Sequence, residues 1–227
     1  MKNILPYLLS ISKLLLLILF HITEIKAQDK DFQIWGSAGI EKKINKKFTI
    51  HLEQELRMTD NVRIPETIFT ESGIVYKCTK WLKLSGNYRF ILKRLNKTYI
   101  EKHRFYIDLQ LKHQTLIAEY SLRTRYQHSF SDLSNNIKTY LENYIRYKFT
   151  ISHSLNHNTK PYLSIETFHN LNKTKWLNPH DIRGEIGANY KIAYNQNLNP
   201  YFLYQKELRT NKPETIYILG IAYIFSL

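Results

Sequence analysis

Nine histidines and many serines raise hydrolytic chemistry first. A nucleophilic serine needs a base within hydrogen-bond reach and a polar group to orient that base. His128-Ser129 sets a base beside a hydroxyl, but adjacent residues of a strand point to opposite faces, so the two cannot join. Ser121 and His51 both fall on polar faces, with nothing in the chain order to unite them. The sequence has no Gly-x-Ser-x-Gly elbow, no His-Glu-x-x-His and only one cysteine, so no Cys pair for zinc. His153 and His157 flank a turn and read as solvated loop residues. No acid–base set is legible, and the expectation is a non-catalytic chain with no cofactor and no metal.

The charged residues follow a firmer rule. Glu53, Glu55, Arg57, Arg89, Arg104, Asp108, Glu119, Arg123, Arg125, Glu142, Arg146, Glu166, Arg183, Glu185 and Glu207 all lie on the polar faces of alternating segments. If those faces turn inward, both signs of charge share one lumen. An isolated charge in a poorly hydrated interior costs several kcal/mol, so they must pair across strands. Such a set either plugs the lumen as a structural network or lines a pore selecting small solutes.

The segments that carry these residues repeat with a period of two. Phe48, Ile50, Leu52, Leu56 and Met58 oppose Thr49, His51, Glu53, Glu55 and Arg57. Phe105, Ile107, Leu109 and Leu111 oppose Arg104, Tyr106, Asp108, Gln110 and Lys112. Eleven such segments are legible: 32–41, 47–58, 66–79, 80–93, 100–113, 115–129, 139–151, 161–170, 181–193, 199–209 and 215–227. The third is weakest, because Thr70 and Ser72 dilute its apolar face. Most exceed the usual five or six residues of soluble strands and match the nine to eleven a tilted bilayer-crossing strand requires. The fold class predicted is all-β, a transmembrane antiparallel up-and-down β-barrel. Bacterial barrels normally have even strand numbers, so the expected count is about 12, with 10 as the alternative. Residues 28–34 would then cross the lumen or add a short strand.

Short turns are expected near Asn45-Lys46, Thr79-Lys80, Gln114 and Asn195-Gln196, and longer loops at 59–65, 94–99, 130–138 and 171–180. Short turns of such barrels face the periplasm. The last strand supports that orientation. Tyr217, Leu219, Ile221, Tyr223, Phe225 and Leu227 form one apolar, aromatic face, opposite the small Gly220, Ala222 and Ser226. Tyr217, Tyr223 and Phe225, with Trp35 and Trp81 near strand ends, are the candidates for the membrane-interface aromatics. Cys78, alone, reads as a small buried apolar residue.

Lys2 and an apolar stretch from Ile11 to Phe20 precede Ala27-Gln28, the pattern of a cleaved signal peptide over residues 1–27. Residues 28–227 would then be one domain. The whole sequence carries 33 basic and 19 acidic residues; loss of Lys2, Lys13, Lys26 and Glu24 leaves 30 against 18. Export removes nucleic acid as the partner of this positive charge. Outer-membrane lipids and lipopolysaccharide, facing rim lysines such as Lys42-Lys43 and Lys173-Lys175, take its place, together with the barrel-assembly machinery. A monomer is expected.

With those residues in place, the chain resembles a family of Gram-negative outer-membrane β-barrel proteins classed as a domain of unknown function. The resemblance rests on Trp35, Lys42-Lys-Ile-Asn-Lys-Lys-Phe48, Glu53-Gln-Glu-Leu-Arg57, His103-Arg-Phe105, Leu122-Arg-Thr-Arg-Tyr126, Glu166-Thr-Phe168 and the aromatic last strand. It implies a barrel with Arg-rich polar faces in the cell outer membrane; the family has no assigned activity, so the resemblance adds nothing on substrate. The functional expectation is a narrow pore for small solutes or a structural, surface-contact barrel. Two alternatives stay open: an outer-membrane lipid hydrolase or acyltransferase, and a soluble periplasmic ligand-binding β-sandwich.

Overall fold

The computed structural model describes residues 30–95, 98–131, 140–173, 176–210 and 213–227. The expected signal segment lies outside them. Among the described residues the chain forms eleven strands: β1 (Lys30–Lys43), β2 (Phe48–Thr59), β3 (Ile64–Lys77), β4 (Leu82–Leu95), β5 (Thr98–Gln114) and β6 (Glu119–Ser131). After these come β7 (Tyr140–Ser152), β8 (Thr159–Asn170), β9 (Asp181–Ala193), β10 (Gln196–Glu207) and β11 (Thr215–Ser226). Each pairs with its sequence neighbours, and β1 pairs with β11, so one sheet closes into a barrel. Closure gives every strand two hydrogen-bonded neighbours and leaves no edge, which the hydrocarbon interior demands. A two-sheet soluble sandwich is thereby replaced.

The strand count is odd, and the seam shows how an odd barrel closes. β1 and β11 run parallel, in continuous register from Lys30 opposite Thr215 to Glu41 opposite Ser226. Residues 30–34 are therefore wall, part of β1, and neither cross the lumen nor form an additional strand. Eleven lies between the ten and twelve considered from the sequence. Oddness also sets Lys30 and Ser226 at opposite ends of the barrel.

The alternation gives the wall two unlike surfaces. Ile107, Leu163 and Ile186 point outward with 61, 60 and 58% of their surface exposed, whereas Glu166 and Ser129 point inward with 3 and 0%. Water would penalise that exterior at about 25 cal/mol per Å² of apolar surface; lipid does not. This is a barrel turned inside out relative to a soluble protein, and it belongs in a membrane.

Connections at one end are short, at 44–47, 78–81, 115–118, 153–158 and 194–195. At the other end residues 132–139, 171–180 and 208–214 separate successive strands, whereas only 60–63 lie between β2 and β3 and 96–97 between β4 and β5. The loops expected at 59–65 and 94–99 are shorter, because Thr59, Ile64 and Pro65 belong to β2 and β3, and Arg94, Leu95, Thr98 and Tyr99 to β4 and β5. Cys78 sits half-buried in the β3–β4 turn, its thiol directed at the Tyr76 carbonyl, and is not an apolar core residue.

One inward row shows how side chains fit the curved wall. Tyr162, Gly187, Tyr201, Gly220 and Trp35 face one another across β8, β9, β10, β11 and β1. Each tyrosine ring lies over the neighbouring glycine, and a Cβ at Gly220 would fall inside the Tyr201 ring. Gly220→Ala should therefore destabilise closure by about 1–3 kcal/mol, the usual cost of overpacking. The expected readout is a lower temperature for the heat-dependent gel shift, partly recovered when Tyr201→Ala makes room. A single variant that melts like the parent would show the contact to be slack.

Candidate functional site in the charged lumen

The lumen is built by the polar parity of all eleven strands, and its centre is Glu166 on β8. Arg146, from the adjacent β7, forks onto both carboxylate oxygens at 3.0 Å each. Arg123 reaches from β6 to within 2.5 Å, and Arg183 on β9 stands 3.9 Å away. Three guanidiniums thus converge on one buried carboxylate. Beside them Arg125 forks onto Asp108 at 2.6 and 2.7 Å. Such bidentate pairs fix orientation as well as charge.

The rest of the network follows the same logic. Arg89 binds Glu71 at 2.5 Å, Arg57 binds Glu55 at 2.5 Å, and Lys148 binds Glu185 at 2.7 Å. Lys102 meets Glu142 at 2.5 Å, and Lys112 and Lys160 share Glu119 at 2.9 Å each. Aromatic rings support the guanidiniums from behind: Arg57 lies 3.7 Å over Trp35, Arg89 3.6 Å over Phe69, and Arg125 3.7 Å over Tyr106. Phe168 carries Arg146 and Arg183 at 4.3 and 4.7 Å. A flat ring presents its negative face to the cation, so the aromatic residues hold the arginines extended across the lumen.

A cavity of about 610 Å³ remains between these groups. Its wall includes Arg57, Arg89, Lys93, Arg104, Arg123, Arg125, Arg146, Lys148 and Arg183 against Glu53, Glu55, Glu142, Glu166, Asp181 and Glu185, a cationic excess of three. Ser37, Gln127, Tyr144, Tyr201 and Gln205 add neutral polar groups to the wall. An arrangement of this kind can hold or pass an anion.

The placement of the sequence-derived residues is uneven. Glu53, Arg104 and Glu185 line the cavity, as do the other candidates just described except Asp108, which lies behind Arg125; Glu119 and Glu207 do not line it either. Glu119 lies near the short-turn end. Glu207 is at the opposite rim, accepting from Thr210 Oγ1 at 3.2 Å and the Glu214 amide at 3.4 Å. Trp35 is a correction. Placed at the membrane interface from its nearness to a strand end, it points inward, 6% exposed, and packs with Leu203 and Ile218. Its Nε1 donates to Gln33 Oε1 at 2.9 Å. Its parity with Gln33 and Ser37, opposite Phe32 and Ile34, carried that information. Trp81 is exposed in the β3–β4 turn. Tyr217 faces outward against Phe202 and Tyr204, while Tyr223 and Phe225 line an outward groove with Ile40 and Leu52.

Sequence reasoning put Tyr106, Lys112 and Lys148 on polar faces without naming them as site residues, and missed the carboxylate of Glu71, the luminal Lys102 and Lys160, and the inward rings Phe69 and Phe168. All share the parity of charged neighbours on their strands. The hydrolytic candidates stay apart: Ser121 Oγ accepts from Gln110 at 2.9 Å, and His51 Nε2 stands 3.6 Å from Glu71. His128 faces outward against Asn143 at 2.7 Å, while Ser129 faces inward. His153 is exposed and directs Nδ1 at the Ile117 carbonyl. Among the described residues no group of three His, Cys, Asp or Glu could hold a metal ion.

A closed sheet with an apolar exterior, a charged interior and a short-turn end defines an outer-membrane β-barrel protein. The chain belongs to the family described as Protein of unknown function (DUF2490), whose family model matches residues 32–215. Among solved structures, the translocator domain of autotransporter NalP from Neisseria meningitidis is similar at 13% identity and a TM-score of 0.51. That match covers 76% of this chain and 72% of the other. The beta domain of the Bordetella autotransporter BrkA aligns at 6% identity and a TM-score of 0.50, covering 77% of this chain and 82% of the other. LpxR from Salmonella typhimurium aligns at 11% identity and a TM-score of 0.49, covering 81% and 84%. At these identities the likeness is one of fold. No curated protein matches the sequence.

Proposed function

We propose that this protein is a non-catalytic outer-membrane barrel that admits small anionic solutes to a narrow, charge-lined lumen. The observation that carries the reading is the 610 Å³ cavity, whose wall has nine cationic and six acidic side chains. Strand number supports narrowness: about eight strands leave an interior just filled by side chains, while sixteen to eighteen leave an open channel. Eleven strands with arginines extended on aromatic supports fall between these limits. The convergence of Arg123, Arg146 and Arg183 on Glu166 is the constriction, and it sets the charge a solute meets.

Outside the wall, lipid is the natural partner. A groove of about 680 Å³ lies over Ser72 and Gly86 between Ile50, Leu52, Ile74, Tyr88 and Phe105, wide enough for an acyl chain. Outer-membrane lipids and lipopolysaccharide cover this surface, the assembly machinery recognises the last strand, and the barrel works as a monomer.

Reconstitution into planar bilayers under a potassium chloride gradient tests the reading. The expected result is small unitary currents with a reversal potential displaced toward that of chloride. A barrel that inserts and stays electrically silent would show that the network seals the lumen and that the protein is structural. Release of fatty acid from phospholipid or lipid A would instead establish the hydrolase alternative.

A further inference from the structure

Away from Glu166, most cations on the cavity wall have a carboxylate of their own; among the described residues Arg104 does not, and Glu53 is a carboxylate without an ion pair. Arg57 has Glu55, Arg89 has Glu71, Lys102 has Glu142, Arg125 has Asp108, and Lys93 stands 3.8 Å from Glu66. Arg104 has no carboxylate within ion-pair distance among the described residues. Its Nε donates to Ser129 Oγ at 3.1 Å, a neutral acceptor. It lies directly opposite Arg89 in the β4–β5 register, where like charges repel. Arg57 and Arg125 add their fields to that of Arg89, opposed by the more distant carboxylate of Glu142, which is itself paired with Lys102. Arg104 is thus a surplus cation facing three other guanidiniums on the wall of a cavity.

A cation with no carboxylate in contact costs several kcal/mol in a poorly hydrated interior. Nothing in the packing requires the charge: Ser129 Oγ would serve a neutral donor equally well. The guanidinium fork is suited to two oxygens of one oxyanion, and the sheet holds it toward open space. We infer that Arg104, with Arg89 beside it, forms an oxyanion-binding subsite in the lumen for the phosphate or carboxylate group of a small solute. This deepens the pore reading, since it names the chemistry of what the lumen selects, and it rests on that reading for its role.

The test uses the folded full-length barrel in detergent and inorganic phosphate as probe. Unfolding midpoints are compared in sodium phosphate and in sodium chloride at equal ionic strength, because binding to the folded state alone raises the midpoint by mass action. The expected result is a saturable rise with phosphate that chloride does not give. R104Q removes the rise, and K46Q, in an exposed turn, keeps it. Should R104Q fail to fold, R104K preserves the charge but loses the fork, and its half-saturating phosphate concentration should rise at least about fivefold, the loss of one charge-assisted bond. An unchanged half-saturation, or an equal rise in chloride, overturns the subsite. The two proposals fail separately. A phosphate-specific shift without conduction leaves the subsite and removes the pore; conduction without the shift does the reverse.

Discussion

Removal of Tyr223–Leu227 abolishes the compact form that shifts on heating. These residues close the barrel on both sides at once. Tyr223 to Ser226 pair with Ala38 to Glu41 in the parallel seam, and Tyr223 to Phe225 pair with Leu198 to Gln196. The Leu227 amide donates to the Glu41 carbonyl at 2.8 Å, the Ser226 amide to the Asn195 carbonyl at 2.8 Å, and Ser226 Oγ to Glu41 Oε1 at 2.7 Å. Without them, the ends of β1 and β10 face lipid with unpaired backbone groups, each at a cost of several kcal/mol. The outward Tyr223 and Phe225 go as well, and with them the aromatic terminus that an assembly apparatus could recognise. Gel migration before and after boiling, on detergent-extracted membranes, is the measurement. A truncated chain that still inserts and still shifts would mean that the seam is dispensable and β1 finds another way to satisfy its ladder.

Glu166→Gln has the second large effect. The substitution keeps the shape and takes away the charge on which Arg123, Arg146 and Arg183 converge. Arg146 suffers most, because its register partner on β6 is Arg125, another guanidinium. Breaking a buried pair by removing one member typically costs about 3–5 kcal/mol, and Glu166 is only 3% exposed. Denaturant unfolding in micelles should show a loss of that order. Arg146→Gln added to Glu166→Gln recovers part of it, since the uncompensated cation is then gone. A loss below about 1 kcal/mol would place the pair in the weak regime of hydrated surface ion pairs, and the lumen would be wet enough to pass ions freely.

Much of the fold was legible because a strand's period is two. The eleven alternating segments coincide with the eleven strands, their ends moving by a few residues: the segment at 80–93 is strand 82–95, and that at 115–129 is strand 119–131. Boundaries drift because polar strand tips keep pairing beyond the apolar belt, where hydrophobicity is silent. Parity also decides which side chains enter the lumen. Trp35 was misplaced because its chemical type was weighed above its parity. Partner choice was not legible. Arg123 reaches across β7 to Glu166, and Lys148 on β7 crosses β8 to Glu185 on β9. Face is a local property of the strand, whereas such reach depends on barrel curvature and side-chain length. For the same reason the lack of a contacting carboxylate at Arg104 could not be read from a sequence in which nine of the eleven strands carry acidic residues.

The parallel seam has a consequence for biogenesis. Hairpins are the natural units of insertion, because two antiparallel strands joined at one end satisfy most of each other's backbone. From the carboxyl-terminal side the pairs β10–β11, β8–β9, β6–β7, β4–β5 and β2–β3 use up ten strands and leave β1 alone. A solitary strand cannot cross hydrocarbon without a ladder on which to zip. Where insertion proceeds by such hairpins, β1 enters last, zipping into a slot whose two walls, β2 and β11, are already in place. The residues at the loop-side rim fit the role of a latch: Asp31 accepts from the Asn61 amide at 2.9 Å and from Gln33 Nε2 at 2.7 Å. Completion of the wall and delivery of the amino-terminal end to the loop side are thus a single event.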